Sequence, residues 1–215
     1  MYDRSDLPRP LRGFEHINRY WDPHRGIACA KILPGELYVT TMDENILTTL
    51  GSCVAACVWD PVARVGGANH FMLPGGSEAN DIDFSKPNDA TRYGNYAMED
   101  LVNGLLQNGG RRERLHIKIA GGGRVLRNTA DVGARNIAFV LEYIRTERLK
   151  LVGQHVGGEC PVKISFNPMS GAAQIKVLRS TANDTIEVRQ RNYLDTLKGE
   201  PRAKPVTMFN EGPST

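Results

Sequence analysis

Cys53 and His70 are the residues of this chain best equipped for covalent chemistry. They stand seventeen positions apart in TLGSCVAACVWDPVARVGGANHFMLP, which runs from Thr49 to Pro74. Cys53 follows Gly51-Ser52 and opens an apolar run. Deep inside such a run a thiol is inert packing. At its mouth, beside backbone N–H groups freed by a glycine turn, it can ionise, and the N–H groups of Ser52 and Cys53 can stabilise an oxyanion. His70 is the one histidine in the apolar stretch ANHFML. An imidazole there can take the thiol proton and later return it to a leaving group. Thr48 and Thr49 precede the glycine turn, and their hydroxyls can cap that turn or hold His70 in one tautomer.

Two other readings compete on the same residues. Cys53 can be a packed core thiol and His70 a satisfied core imidazole. Alternatively Cys53, Cys57, His70 and Cys160 can supply metal ligands. Structural zinc sites, however, pair their ligands in tight knuckles, and here one Cys-x3-Cys pair stands alone. Along a strand, positions 53 and 57 share a face about 13 Å apart, too far for one metal or for a disulfide. Cys57 therefore reads as core. Gly121–Gly123 with Arg124 resembles a phosphate cradle but lacks the Gly-Lys-Ser/Thr ending of a P-loop, so a turn or a close backbone approach is the better reading. His116 and His155 have no acidic or cysteine neighbour at ligand spacing, and His16 and His24 lie near the amino terminus.

The elements that must position these residues follow from periodicity. GELYVTT (35–41) alternates as a short strand, and VAACVWD (54–60) reads as a buried one. Asp60-Pro61 opens a turn that Gly66-Gly67 closes, and residues 68–73 return as a second strand. This hairpin would set Cys53 at the entry of one strand and His70 on its partner. Residues 74–89 form a long loop able to lie over a site. From Thr91 the period becomes helical, with Tyr93, Ala97, Met98, Leu101, Val102, Leu105 and Leu106 on one stripe ended by Gly109-Gly110. LHIKIAGGG is a strand into a glycine turn. Asp131 caps a second helix that turns Ile137, Val140, Leu141 and Ile144 inward, and LKLVGQHVGG is a strand and turn. VKISFN and AAQIKVL flank the five-residue loop Asn167–Gly171 as a hairpin. The expectation is an α+β layered sandwich, with a mostly antiparallel, mixed sheet and two main amphipathic helices. Its core would span residues 30–180, between a mobile N-terminal extension (1–29), in which Phe14, Tyr20 and Trp21 are able to dock, and a polar C-terminal tail (181–215).

Bulk composition narrows the function classes. A chain of 215 residues with 40% hydrophobic content supports one sizeable core. A net charge of +3, without a long Lys/Arg run, argues against nucleic acid. No apolar stretch approaches the ~18 residues of a membrane span, and the first 26 residues hold no apolar run of the kind a secretory signal requires. A cytoplasmic, reducing compartment is expected, with the four cysteines as thiols.

Four segments in order, TTLGSCVAACVWDP, GGANHFMLP, ARNIAFVLEYIRTERLKLVGQHVGG and NPMSGAAQIKVL, strongly resemble the CheD family, chemoreceptor glutamine deamidases of bacterial chemotaxis. The pairing of LGSCV with NHFMLP is the most specific part. The resemblance implies an α/β sandwich and hydrolysis of receptor glutamines to glutamate with release of ammonia, a protein-glutamine glutaminase reaction without metal or organic cofactor. It implies Cys53 as nucleophile and His70 as general base and acid. It also implies a threonine before the Gly-Ser-Cys turn, Thr48 with Thr49 as the alternative, as orienter. Partners implied are chemoreceptor cytoplasmic domains and, in species that have one, a CheC-like phosphatase. Methylesterase side activity would use the same thioester. A binding module that sequesters the phosphatase with little catalysis is the competing reading.

Overall fold

All seven side chains of VAACVWD are buried, which a strand with one face in water cannot achieve. This strand, β5 (Val54–Asp60), is the centre of a middle layer. The structure, a computed structural model, describes residues 7–74, 89–125, 132–179 and 184–199. In chain order the other strands are β1 (Asn18–Asp22), β2 (Ile27–Lys31), β3 (Leu37–Thr40), β4 (Glu44–Leu50), β6 (Val65–Asn69), β7 (His116–Gly121), β8 (Lys150–Val156), β9 (Val162–Phe166) and β10 (Ala173–Val177). The helices are α1 (Asp89–Gln107), α2 (Val132–Thr146) and α3 (Asp184–Gly199).

Two five-stranded mixed sheets stack, one ordered β1-β2-β4-β9-β10 and the other β3-β6-β5-β7-β8. Among the described residues only β2–β4 and β7–β8 pair in parallel, the latter joined by the α2 crossover. The period of two along β5 divides the core. Val54, Ala56 and Val58 join Met98, Leu101, Val102, Leu105 and Val140 beneath α1 and α2. Ala55, Cys57 and Trp59 face the other sheet, among Ile46, Leu50, Ile164 and Phe166. The α+β layered sandwich is therefore as expected, with two sheets and a third helix in addition.

Three local readings change. Gly66 and Gly67 lie in β6 rather than in the turn, which is residues 61–64 with Arg64 at a positive φ of 52°. A β-carbon on Gly67 would sit 2.4 Å from the Tyr38 carbonyl, so close strand packing, not turning, requires that glycine. The N-terminal segment read as a mobile extension instead contributes β1 and most of β2, in register from Asn18↔Lys31 to Asp22↔Ile27. Phe14 docks edge-on against Tyr38. The segment beyond residue 180 contains α3, with Leu194 and Leu197 buried. The expected loop over 74–89 and the Asp131 cap fall outside the described residues, apart from Pro74 and Asp89.

Asp60, at the end of β5, locks the β5–β6 hairpin to the next segment. Its Oδ1 accepts from the Val62 and Ala63 amides, and its Oδ2 accepts from the Arg111 amide and Arg114 Nε, all within 2.8–3.0 Å. Burial alone would raise its pKa, but these bonds favour the charged form and hold it at about 2. The folded value lies below the ordinary 3.8, so this stabilisation is present above pH 3.8 and is lost as pH falls through about 2. Asp60→Asn is expected to destabilise the protein by about 2–3 kcal/mol at neutral pH. In denaturant melts, the gap between wild type and variant should close as pH falls from about 4 to about 2.

Candidate active site

The turn Gly51–Ser52–Cys53 carries the thiol, and its three carbonyls are all engaged. Gly51 O accepts from the Gly123 amide and Cys53 O from the Gly122 amide, both at 2.7 Å. Ser52 O accepts from Asn136 Nδ2 of α2 at 2.8 Å. Gly121 and Gly122 have φ of 101° and 70°, and a β-carbon on Gly121 would lie 2.3 Å from Cys53 O. The glycine run read as a poor phosphate cradle is thus a close backbone approach beneath the thiol, its amides already spent.

Cys53 and His70 share one face of the middle sheet. The register Cys57↔Ala68 continues through the bridge Val54↔Phe71, which sets His70 opposite Ala55 and Cys53 opposite Met72. The two are diagonal neighbours on the face turned toward the other sheet, a separation that a long side chain spans. The ladder is modified where His70 needs a fixed backbone. Its N–H donates to Glu36 O at 2.9 Å, and its carbonyl accepts from the Gly35 amide at 2.7 Å.

A polar chain orients the imidazole. Thr48 Oγ1 donates to Ile32 O at 2.9 Å and lies 2.7 Å from His70 Nδ1. Because the hydroxyl proton is committed to a carbonyl, the threonine oxygen accepts and Nδ1 carries the hydrogen. Nε2 is then the unprotonated nitrogen, and this buried atom has no hydrogen-bond partner among the described residues. Strand alternation separates the two threonines: Thr48 faces inward at 4% exposure, and Thr49 takes the opposite face.

The thiol is not the exposed thiolate that a strand mouth suggested. Cys53 and His70 are 0% and 2% exposed. Burial pushes the Cys53 thiol up to about 12, against smaller lowering from Gln190 and its own amide, and pushes His70 down to about 3. Both groups are neutral in this state. The N–H of Ser52, expected to face an oxyanion, donates to Gln190 Oε1 of α3 at 3.0 Å, and Ser52 Oγ donates to the same oxygen at 3.1 Å. Gln190 Nε2 donates to Cys53 Sγ at 3.4 Å.

Gln190 and Asn136 were not singled out from the sequence. Asn136 lies among the inward positions of α2, and its Oδ1 also accepts from the Leu73 amide, clamping the cysteine turn to the chain just after His70. Gln190 belongs to a stripe, 190-193-194-197, that a polar composition hides. Cys57 packs in the core between the sheets, and Cys160 is half-buried in the loop before β9. Among the described residues, no three His, Cys, Asp or Glu side chains gather to hold a metal.

A depressed His70 pKa means that the unfolded chain binds a proton the folded one refuses. Stability is therefore complete above about 6.5 and falls as pH drops toward about 3. Nitrogen-15 NMR should show a neutral Nδ1–H imidazole that does not titrate between about pH 8 and about pH 5. A titration midpoint near the ordinary value of 6.5 would contradict this burial.

A family model described as CheD chemotactic sensory transduction matches residues 72–177. A probable chemoreceptor glutamine deamidase CheD from Halorhodospira halophila is 50% identical over 204 residues, covering 94% of each chain. Another of that name, from Hydrogenovibrio crunogenus, is 47% identical over 188 residues, covering 87% of this chain and 97% of the relative. A third, from Hahella chejuensis, is 43% identical over 202 residues, covering 94% and 95%. Likeness of this degree, running through both the cysteine and the histidine strands and nearly end to end in each relative, means that the chain belongs to the CheD family.

Proposed function

We propose that this chain deamidates selected glutamine side chains of chemoreceptor cytoplasmic domains, giving glutamate and ammonia, and that it works in the cytoplasm. The names of its relatives support the substrate. One observation carries the chemistry: a buried imidazole fixed through Nδ1 by Thr48, with a bare Nε2 on the face that bears the Cys53 thiol.

The reaction runs through these groups. His70 Nε2 takes the Cys53 proton. The thiolate attacks the carboxamide carbon, and the oxygen becomes an oxyanion held by N–H groups of the Ser52–Cys53 turn. The intermediate collapses as the imidazolium protonates the nitrogen, which leaves as ammonia and leaves a thioester. His70 then deprotonates water, which attacks the thioester carbonyl. Glutamate is released and the thiol regains its proton. The balance uses only water. A methylated glutamate would pass through the same thioester and lose methanol, which makes methylesterase side activity part of this reading.

A neutral Cys53–His70 pair suits a site that ionises only when substrate arrives. Thr48 acts as positioning residue, because without its oxygen Nδ1–H loses its acceptor and the tautomer preference relaxes. The second reading, a module that sequesters a CheC-like phosphatase, gives no role to a bare buried Nε2.

Incubation with a cognate receptor fragment, followed by mass spectrometry, should show gains of about one mass unit at discrete glutamines, the exchange of NH₂ for OH. Cys53→Ala should abolish them. His70→Ala should lower the rate by about 10²–10⁴-fold. Thr48→Val should lower kcat by roughly tenfold or more, and Thr48→Ser should recover most of it, whereas Thr49→Val should leave the rate near wild type. Unchanged receptor masses with the wild-type enzyme would favour the binding module.

A further inference from the structure

The glutamine in the site belongs to the protein itself. Gln190 is 2% exposed, and its carboxamide makes three contacts there: Oε1 accepts from the Ser52 amide and hydroxyl, and Nε2 donates to Cys53 Sγ. This is the functional group that a glutamine deamidase must recognise. Its oxygen sits on an amide expected to face an oxyanion, and its nitrogen lies against the nucleophile. The carboxamide also packs against Gly51, where a β-carbon would come within 2.5 Å of Oε1 and 2.9 Å of both Cδ and Nε2. The absence of a side chain at Gly51 therefore leaves the room that this amide fills.

The helix that delivers Gln190 is seated at neighbouring points. Tyr193 lies over Gly35, the residue whose amide binds the His70 carbonyl, and a β-carbon on Gly35 would come 2.8 Å from the Tyr193 hydroxyl. That hydroxyl hydrogen-bonds to Tyr93 of α1. Leu194 and Leu197 bury on the same stripe. Residues 190, 193, 194 and 197 thus dock one face of α3 across the mouth of the site.

We propose that α3 is an intrachain substrate mimic: Gln190 occupies the carboxamide subsite formed by Gly51, Ser52 and Cys53, and a receptor glutamine must displace it to react. The inference rests on the deamidase reading and adds to it a subsite and a competitor. Gln190 is placed as an occupant rather than a substrate. An amide N–H is turned to the sulfur, and Cys53 and Gln190 are both buried, out of contact with the bulk water that would open a thioester. Displacement of α3 would expose the Ser52 amide, the Cys53 thiol and the His70 Nε2 together, so substrate binding and site opening are one equilibrium.

The full-length protein and two variants, Gln190→Ala and Leu194→Asp, test this through two readouts. In the first, iodoacetamide labels each cysteine under native conditions, resolved by peptide mass spectrometry. Both variants should label Cys53 about tenfold or more faster than wild type, because the occupant no longer reduces the open fraction. Cys57, buried on the same face of β5, should stay unlabelled and so reports that the core is intact. In the second, receptor deamidation by Gln190→Ala should show a lower KM by a similar factor with kcat unchanged, since the mimic acts only on the free enzyme. Equal Cys53 labelling in wild type and both variants, or Cys57 labelling in step with Cys53, would overturn the proposal. Faster Cys53 labelling with no receptor glutamine converted by any form would leave α3 as occupant and defeat the deamidase reading. Conversion with the same KM in wild type and Gln190→Ala would do the reverse.

Discussion

Burial of β5 on both faces is the constraint from which the rest of the structure follows. A strand that hides seven consecutive side chains must lie between two other layers, helices on one side and a second sheet on the other. Its alternation then assigns every side chain to one of two cores. Residues 53, 55 and 57 look toward the second sheet, and 54, 56 and 58 look toward α1 and α2. The same alternation on the returning chain sends His70 and Met72 to the sheet side and Phe71 and Leu73 to the helix side. The nucleophile and base of the proposed reaction therefore lie on one face between two sheets, away from bulk water, where hydrogen bonds to fixed dipoles are strong and isolated charges are costly.

That location explains the character of the site. An imidazole and a thiol in such surroundings stay neutral, and each buried polar atom needs a partner. Thr48, itself held by the Ile32 carbonyl, satisfies Nδ1, and Gln190 satisfies the Ser52 amide and touches the sulfur. Nε2 is left over, the atom from which proton transfer would start. The supporting bonds come from far along the chain: Gly122 and Gly123 from the β7 turn, Asn136 from α2, Gly35 and Glu36 from the segment before β3. A three-residue turn is thus pinned on all its carbonyls.

Much of the architecture was legible because it is written in local periodicity. VAACVWD reads as a buried strand because seven residues with almost no polar interruption match a strand and fall short of a helix. The stripe from Tyr93 to Leu106 and that from Ile137 to Ile144 read as helices through their i, i+3, i+4 spacing. The hairpin that brings His70 back toward Cys53 follows from Asp-Pro turn chemistry, although its glycines serve strand packing instead. Strands β1 and β2 were not legible, since Pro, Arg and Asp around them look like linker chemistry, and their pairing depends on a partner, β4, many residues away. Helix α3 was missed because its apolar stripe is short and its remaining faces are charged, so composition outweighed pattern.

Sequence by itself determined the candidate pair, the hairpin that relates them and the layered α+β class, because each depends on residue types and spacings within a few tens of positions. It favoured Thr48 without excluding Thr49, since adjacent residues differ only in the face of the strand they occupy, and that face is decided by which sheet lies behind it. It was silent on the protonation of the pair, because burial is a property of three packed layers and not of any one segment. It was equally silent on Gln190, whose side chain reaches a thiol 137 positions earlier in the chain. Only the packed fold, in which α3 lies against Gly35 and the cysteine turn, places a glutamine where a glutamine would be bound.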